Sequence, residues 1–172
     1  MAVRKNKGVT MKFLSTPKHG WSTLTLKDKH KKFSIPVSYL TDIPFDCLDM
    51  CISSLKNKHD LCLNFETEGK GDVKVIADDY TTYVIHETDK PKLIVFDDIT
   101  KTDIIDSIHH HMDKDIDEWA KWMSYEYNDN TWKRRKPALK LRIHNIERLM
   151  GKSKTEKESN NDRHTSYSQY SG

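Results

Sequence analysis

Between residues 61 and 98 the chain reads LCLNFETEGKGDVKVIADDYTTYVIHETDKPKLIVFDD, four short β-like runs parted by turns of only a few residues. A parallel neighbour needs a crossover of about a dozen residues or more, so runs this closely spaced are restricted to antiparallel pairing. Leu61, Leu63 and Phe65 alternate, Gly69 and Gly71 supply a turn, and Val73 and Val75 return as the second arm of a hairpin. TTYVIHE and KLIVFDD make two further strands on either side of TDKP. Upstream, WSTLTLK (21–27) places Trp21, Thr23 and Thr25 on one face and Leu24 and Leu26 on the other. A strand-like run follows from Phe33 to Leu40, where Pro36 has no ladder donor and so demands an edge position or a bulge.

Three segments carry helical periodicity instead. In TDIPFDCLDMCISSLKNK, Thr41 or Asp42 can cap, Pro44 suits the first turn, and Phe45, Leu48, Ile52 and Leu55 make the core stripe. A long helix is expected from about 102 to 126, with Ile105, Ile108, Met112, Ile116, Trp119 and Met123 inward. YNDNTWKRRKP reads as a polar connector. PALKLRIHNIERLMG then forms a last helix that starts at Pro137, ends at Gly151 and buries Leu139, Ile143, Ile146 and Met150. The fold class is therefore α+β, an antiparallel sheet of four to six strands packed against about three helices. Residues 1–9 are expected as a flexible basic arm, 10–151 as a single α+β domain and 152–172 as a disordered polar tail.

Composition narrows the setting. With 35% of residues in the hydrophobic group and 32% charged, the core must be lean. No window approaches eighteen consecutive apolar residues, and no uninterrupted apolar run follows the basic start MAVRKNKGVTMKFL, so neither a membrane span nor a secretory signal is expected. Cys47, Cys51 and Cys62 are an odd set that fits reduced thiols and a cytoplasmic location. The net charge of +3 hides a division: residues 1–40 carry nine Lys or Arg against one acid, residues 41–131 nine against 21, and residues 132–172 eleven against four. Basic ends either fold back onto the acidic middle or serve a different partner.

The chemistry-bearing residues stop short of a catalytic signature. In SIHHHMDKDIDEW, consecutive helical residues point about 100° apart, so His109, His110 and His111 cannot hold one metal ion jointly. Pairs four apart, such as His109 with Asp113, are fragments of a site that needs three or four ligands. These residues read as the wet side of a helix, with His109 and His110 mostly exposed and His111 nearer the boundary. Cys47 and Cys51 lie four apart without a complementary pair, and read as half-buried structural thiols. No Walker loop, Gly-x-Gly-x-x-Gly or Gly-x-Ser-x-Gly occurs, so no enzyme is indicated and no cofactor is called for. Two surfaces remain. Glu66, Glu68, Asp78, Asp79, Asp97 and Asp98 stand at strand ends and turns, where they can face a basic partner. Lys133, Arg134, Arg135, Lys136, Lys140 and Arg148, next to Trp132, have the charge and the stacking group for nucleic acid, without a recognised nucleic-acid-binding motif.

The order W-S-T-L-T-L at 21–26, F-S-I-P-V-S-Y-L-T-D-I-P at 33–44, the hairpin LNFETEGKGDVKVI, KLIVFDD and a helix with Trp119 and Trp122 before Tyr125 and Tyr127 resembles small bacterial immunity proteins. These are encoded beside polymorphic or contact-dependent toxins. The resemblance spans about 20–150 and leaves out the basic N-terminal arm, WKRRKP and the polar tail. It implies a non-catalytic, cytosolic toxin inhibitor of bacterial competition, which binds one cognate toxin domain and blocks its active site. Under that reading the six acids are the toxin contacts, and a nuclease with a basic cleft is a fitting target. The alternative is a small phage or mobile-element protein that binds nucleic acid through 133–148.

Overall fold

The computed structural model describes residues 11–123 and 130–151. Among the described residues six strands form two antiparallel sheets: β1 (Trp21–Lys27) pairs with β2 (Lys32–Ser38), and β3 (Leu61–Phe65), β4 (Asp72–Ala77), β5 (Thr82–Glu87) and β6 (Lys92–Phe96) follow in that spatial order. Between the sheets in sequence lies α1 (Ile43–Asn57), and after them come α2 (Lys101–Lys114), α3 (Ile116–Ala120) and α4 (Thr131–Leu149). The fold is α+β, and its larger sheet has four strands.

Pairing in the small sheet explains Pro36. Ser15 N–H donates to Thr23 C=O at 3.0 Å, and Thr23 N–H donates to Ser15 Oγ at 2.8 Å, so the main-chain groups of Thr23 face residues 13–15. Pro36 stands opposite Thr23, at a position where β2 exchanges no hydrogen bonds with β1, and its missing N–H lies on the open edge. No bulge is needed.

One buried cluster joins the layers. Leu24, Leu26, Phe33, Ile35 and Val37 face inward from the small sheet, and Leu61, Leu63, Phe65, Val73, Val75, Ala77 and Val84 from the larger one. Phe33 packs edge-on against His86, and Phe13 against Phe65 with ring centroids 6.1 Å apart. Ser107 Oγ accepts from Phe13 N–H at 2.9 Å and donates to Met11 C=O at 2.6 Å, tying the segment before β1 to α2. The opposite face of the four-stranded sheet is open, with Cys62, Asn64, Lys74, Glu87 and Leu93 exposed.

The helices differ from the periodic expectation in three ways. The long helix breaks at Asp115, which ends α2 and precedes α3 with φ −107° and ψ 30°. Asp113, Asp115 and Asp117 would oppose the negative end of one continuous helix, whereas a new helix places Asp117 and Glu118 in its favourable first turn. Beyond the break Trp119 stays buried, but Met123 is 44% exposed. The expected end near 126 lies outside the described residues, as do the basic arm, the polar tail, Tyr125 and Tyr127.

Second, α4 begins at Thr131, so WKRRKP is helical and Pro137 sits inside the helix. Arg135, Lys136 and Trp132 find tertiary partners there, and Pro137, which has no N–H to give the preceding turn, sits exposed on the water side.

Third, the most buried face of α1 is Cys47, Leu48, Cys51 and Ser54, with Phe45, Ile52 and Leu55 at its flanks. The helix packs against α4 on one side and β3 on the other, which widens its apolar face. The thiols of Cys47 and Cys51 are accordingly fully buried rather than half-buried. Neither Thr41 nor Asp42 caps α1 by its side chain; the Asp42 carboxylate goes to Arg135.

Candidate functional site

The antiparallel order divides the six candidate acids between two ends of the sheet. Glu66 and Glu68 lie exposed on the β3–β4 turn, where Thr67 Oγ1 donates to Gly71 C=O at 2.7 Å. Asp78, Asp79, Asp97 and Asp98 lie at the other end, roughly 20 Å away along strands of this length.

Two bonds hold that second end together. Lys101 N–H donates to Asp78 C=O at 2.8 Å, and Thr82 Oγ1 donates to Ile99 C=O at 2.8 Å, so the β4–β5 turn and the β6–α2 connection form one surface. Its four carboxylates have different tasks. Asp78 Oδ1 accepts from the N–H groups of Tyr80 and Thr81, both at 2.7 Å, and therefore shapes the turn. Asp79 pairs with Lys101 at 3.0 Å. Asp97 and Asp98 are exposed and form no ion pair with a described residue. Both precede α2, whose positive end is closed by a reciprocal cap between Thr100 and Asp103. Tyr80 projects from the same turn with 79% of its surface exposed. Selection of acids by charge passes over this tyrosine, although an exposed aromatic at a turn tip is a signal in its own right.

The basic set is also not one surface. Arg135 donates to both oxygens of Asp42, at 2.8 and 2.6 Å, and through Nε to Ala120 C=O at 3.1 Å. Arg142 grips Asp49 at 2.6 Å, and the two guanidinium groups lie 4.8 and 4.6 Å from the Phe45 ring centre. Lys136 meets Asp117 at 2.6 Å, and this hydrogen bond holds the Asp117 carboxyl below the usual carboxylate range. Arg135 and Lys136 are thus engaged within the fold, pinning α4 to α1 and α3. Lys133, Arg134, Lys140 and Arg148 remain exposed. Asp42 is marked in the sequence only as a possible helix cap, and nothing there distinguishes Asp49 and Asp117 from other acids of the middle segment.

The histidines separate by depth. His110 is exposed, and His111 Nδ1 lies 2.8 Å from Ser107 C=O. His109 departs from expectation: its side chain is 14% exposed, between α2 and α4, with Nε2 3.2 Å from Glu147 Oε1. The same carboxylate lies 3.5 Å from His144 Nδ1. Among the described residues no group of three or more His, Cys, Asp or Glu side chains is arranged to hold a metal ion. Burial pushes the Cys47 and Cys51 thiols up, which keeps them protonated and unreactive, while Cys62 is exposed. No helix of the described residues is long and apolar enough to cross a membrane.

Compared with protein-family models, with curated proteins and with solved structures, the chain matches none.

Proposed function

We propose that the chain is a non-catalytic, cytosolic inhibitor of the immunity type, which binds a cognate toxin domain through the sheet end formed by the β4–β5 turn and the β6–α2 connection. The observation that carries this reading is Tyr80, 79% exposed and set on the same end as Asp79, Asp97 and Asp98. A rigid aromatic supplies contact area at low entropic cost, and the surrounding carboxylates steer a basic cleft toward it. Lys101 is the cation that offsets Asp79 there, and Asp97 and Asp98, exposed and without an ion pair to a described residue, are the acids left for a partner. Glu66 and Glu68, at the far end of the strands, fall outside this contact. Asp78 acts through the turn it holds. A nuclease is the fitting target class, because its phosphate-binding cleft is basic.

The test is to identify the reading frames beside the gene and co-express the chain with any toxin domain found there. The wild-type chain restores growth, and the combined variant Tyr80→Ala, Asp97→Lys, Asp98→Lys loses that protection while remaining folded. Full protection by the variant overturns the assignment. The nucleic-acid reading loses Arg135 and Lys136 to internal pairs and rests on Lys133, Arg134, Lys140 and Arg148. Retention of the chain by DNA or RNA in a low-salt gel shift, abolished when those four are neutralised, would favour it instead.

A further inference from the structure

Open strand edges invite pairing with other chains, and two of the outer edges here are visibly closed. The free side of β2 carries Pro36, and on the free side of β6 the Lys31 ammonium takes the Val95 carbonyl while lying 5.9 Å from the Phe96 ring centre. The free edge of β3, LCLNF, has no proline, no lysine and no bulge.

The ladder pattern states which groups that edge presents. Asp78 N–H donates to Thr81 C=O at 3.0 Å, closing the β4–β5 turn. Alternating from there, Ile76, Lys74 and Asp72 bond toward β5, and Ala77, Val75 and Val73 toward β3. Leu61, Leu63 and Phe65 are then the hydrogen-bonded partners of β4, and the N–H and C=O groups of Cys62 and Asn64 point off the sheet. The same alternation turns the Val95 carbonyl outward on β6, which is where Lys31 meets it. No described residue bonds the outward main-chain groups of Cys62 or Asn64.

Beside this edge runs a groove of about 240 Å³ between α1 and β3, with Ile43, Cys47 and Met50 on the helix side and Asp46 and Asp49 at its rim. Asp49 is matched by Arg142, whereas Asp46 forms no ion pair with a described residue. Burial, with Asp42 and Asp49 nearby, pushes the Asp46 carboxyl above its usual range, as befits an acid without a cation.

We propose that the β3 edge is a docking site for an extended, lysine- or arginine-bearing segment of a partner protein, which adds as a further strand beside β3 and sets a cation against Asp46. Main-chain bonds to Cys62 and Asn64 supply the affinity, and the acidic rim selects the charge. A second copy pairing through its own β3 edge is the poorer occupant, because that edge brings the same acidic rim rather than a basic one. The site stands whether or not the Tyr80 end inhibits a toxin.

The test is a titration of the full, isotope-labelled chain with the acetylated, amidated peptide Lys-Val-Lys-Val-Lys-Val-Lys, read on its backbone amides by NMR and hydrogen exchange. The peptide shifts and protects the Cys62 and Asn64 amides saturably. Its glutamate counterpart, and the lysine peptide N-methylated at alternate residues, do neither. Asp46→Asn weakens binding roughly two- to fivefold, the scale of one exposed ion pair, and Asp97→Lys leaves it unchanged. Four results overturn the proposal. One is no binding, and another is shifts confined to residues 97 and 98. A third is protection of the two amides before peptide is added, which means that another part of the same chain occupies the edge. The last is protection that rises with protein concentration, which means that a second copy does.

Discussion

Gly69 and Gly71 share one turn and nearly one backbone conformation, φ +70° and +82°, yet the fold treats them differently. A Cβ at Gly69 meets nothing within 4 Å, whereas a Cβ at Gly71 falls 2.2 Å from Glu87 C=O oxygen and 2.9 Å from the Thr88 methyl. Replacement of either by alanine forces an L-residue into the left-handed region, at about 1–2 kcal/mol. The stiffer unfolded chain returns about 0.4–1 kcal/mol of that. Gly69→Ala should therefore destabilise by roughly 1 kcal/mol or less. Gly71→Ala carries the same strain and must also open its contact with Glu87 by about 1 Å to reach an ordinary separation. The obstructing atom is main chain in β5 and cannot rotate aside, so an overpacking cost of about 1–3 kcal/mol is added. The expected total is about 1–4 kcal/mol. Urea unfolding of both variants, with the denaturant slope checked against wild type, measures the difference directly. The Gly71 variant should melt roughly 2–12 °C below the Gly69 variant, at about 2–4 °C per kcal/mol for a chain of this size. Equal destabilisation of the two, within about 0.5 kcal/mol, would refute the close approach of the β3–β4 turn to the end of β5, and with it the claim that space rather than φ decides there.

Ser107→Ala should destabilise by about 2 kcal/mol in the same assay, because it strands the buried N–H of Phe13 and the carbonyl of Met11; a change within error would mean that those groups find other partners. Ellman's reagent should label Cys62 rapidly in the native chain and reach Cys47 and Cys51 only on unfolding, so fast reaction of all three thiols contradicts their burial. Asp46 binds its proton more tightly folded than unfolded, so its ionisation opposes folding above the carboxylate range and ceases to do so in acid. Asp46→Asn should accordingly raise stability near neutral pH, with the gain shrinking as pH falls; a gain that persists undiminished in acid argues against a charge effect.

Local features of the chain were legible where one physical signal acted alone. The alternation in LCLNF and DVKVIA, with turns between them too short for a crossover, leaves only an antiparallel hairpin, and the register from Leu61↔Ala77 to Phe65↔Val73 follows. The stripe Ile105, Ile108 and Met112 is buried as its spacing implies. Legibility failed where two signals competed. Spacing alone continues the helix through Asp115, but three aspartates at its negative end, together with the Thr16 hydroxyl on Asp115, favour a break. Pro137 marks a helix start by propensity, but the ion pairs of Arg135 and Lys136 extend α4 upstream of it. The six candidate acids look equivalent as turn residues, and only the strand order sends Glu66 and Glu68 to one end and Asp97 and Asp98 to the other.

By itself, then, the sequence determined the element types, the antiparallel pairing and the separation of a basic start and end from an acidic middle. Each of these rests on residues close along the chain, whose periodicity and composition need no knowledge of the partners. The tertiary structure decided which charges are available. Arg135 and Asp42 stand 93 residues apart in sequence and yet share two hydrogen bonds, while Lys133, two residues earlier on the same helix, stays in water. It likewise closed the edge of β6 with Lys31 and left that of β3 without a strand partner among the described residues. Pairing across such distances depends on how whole elements dock, and no local pattern encodes it.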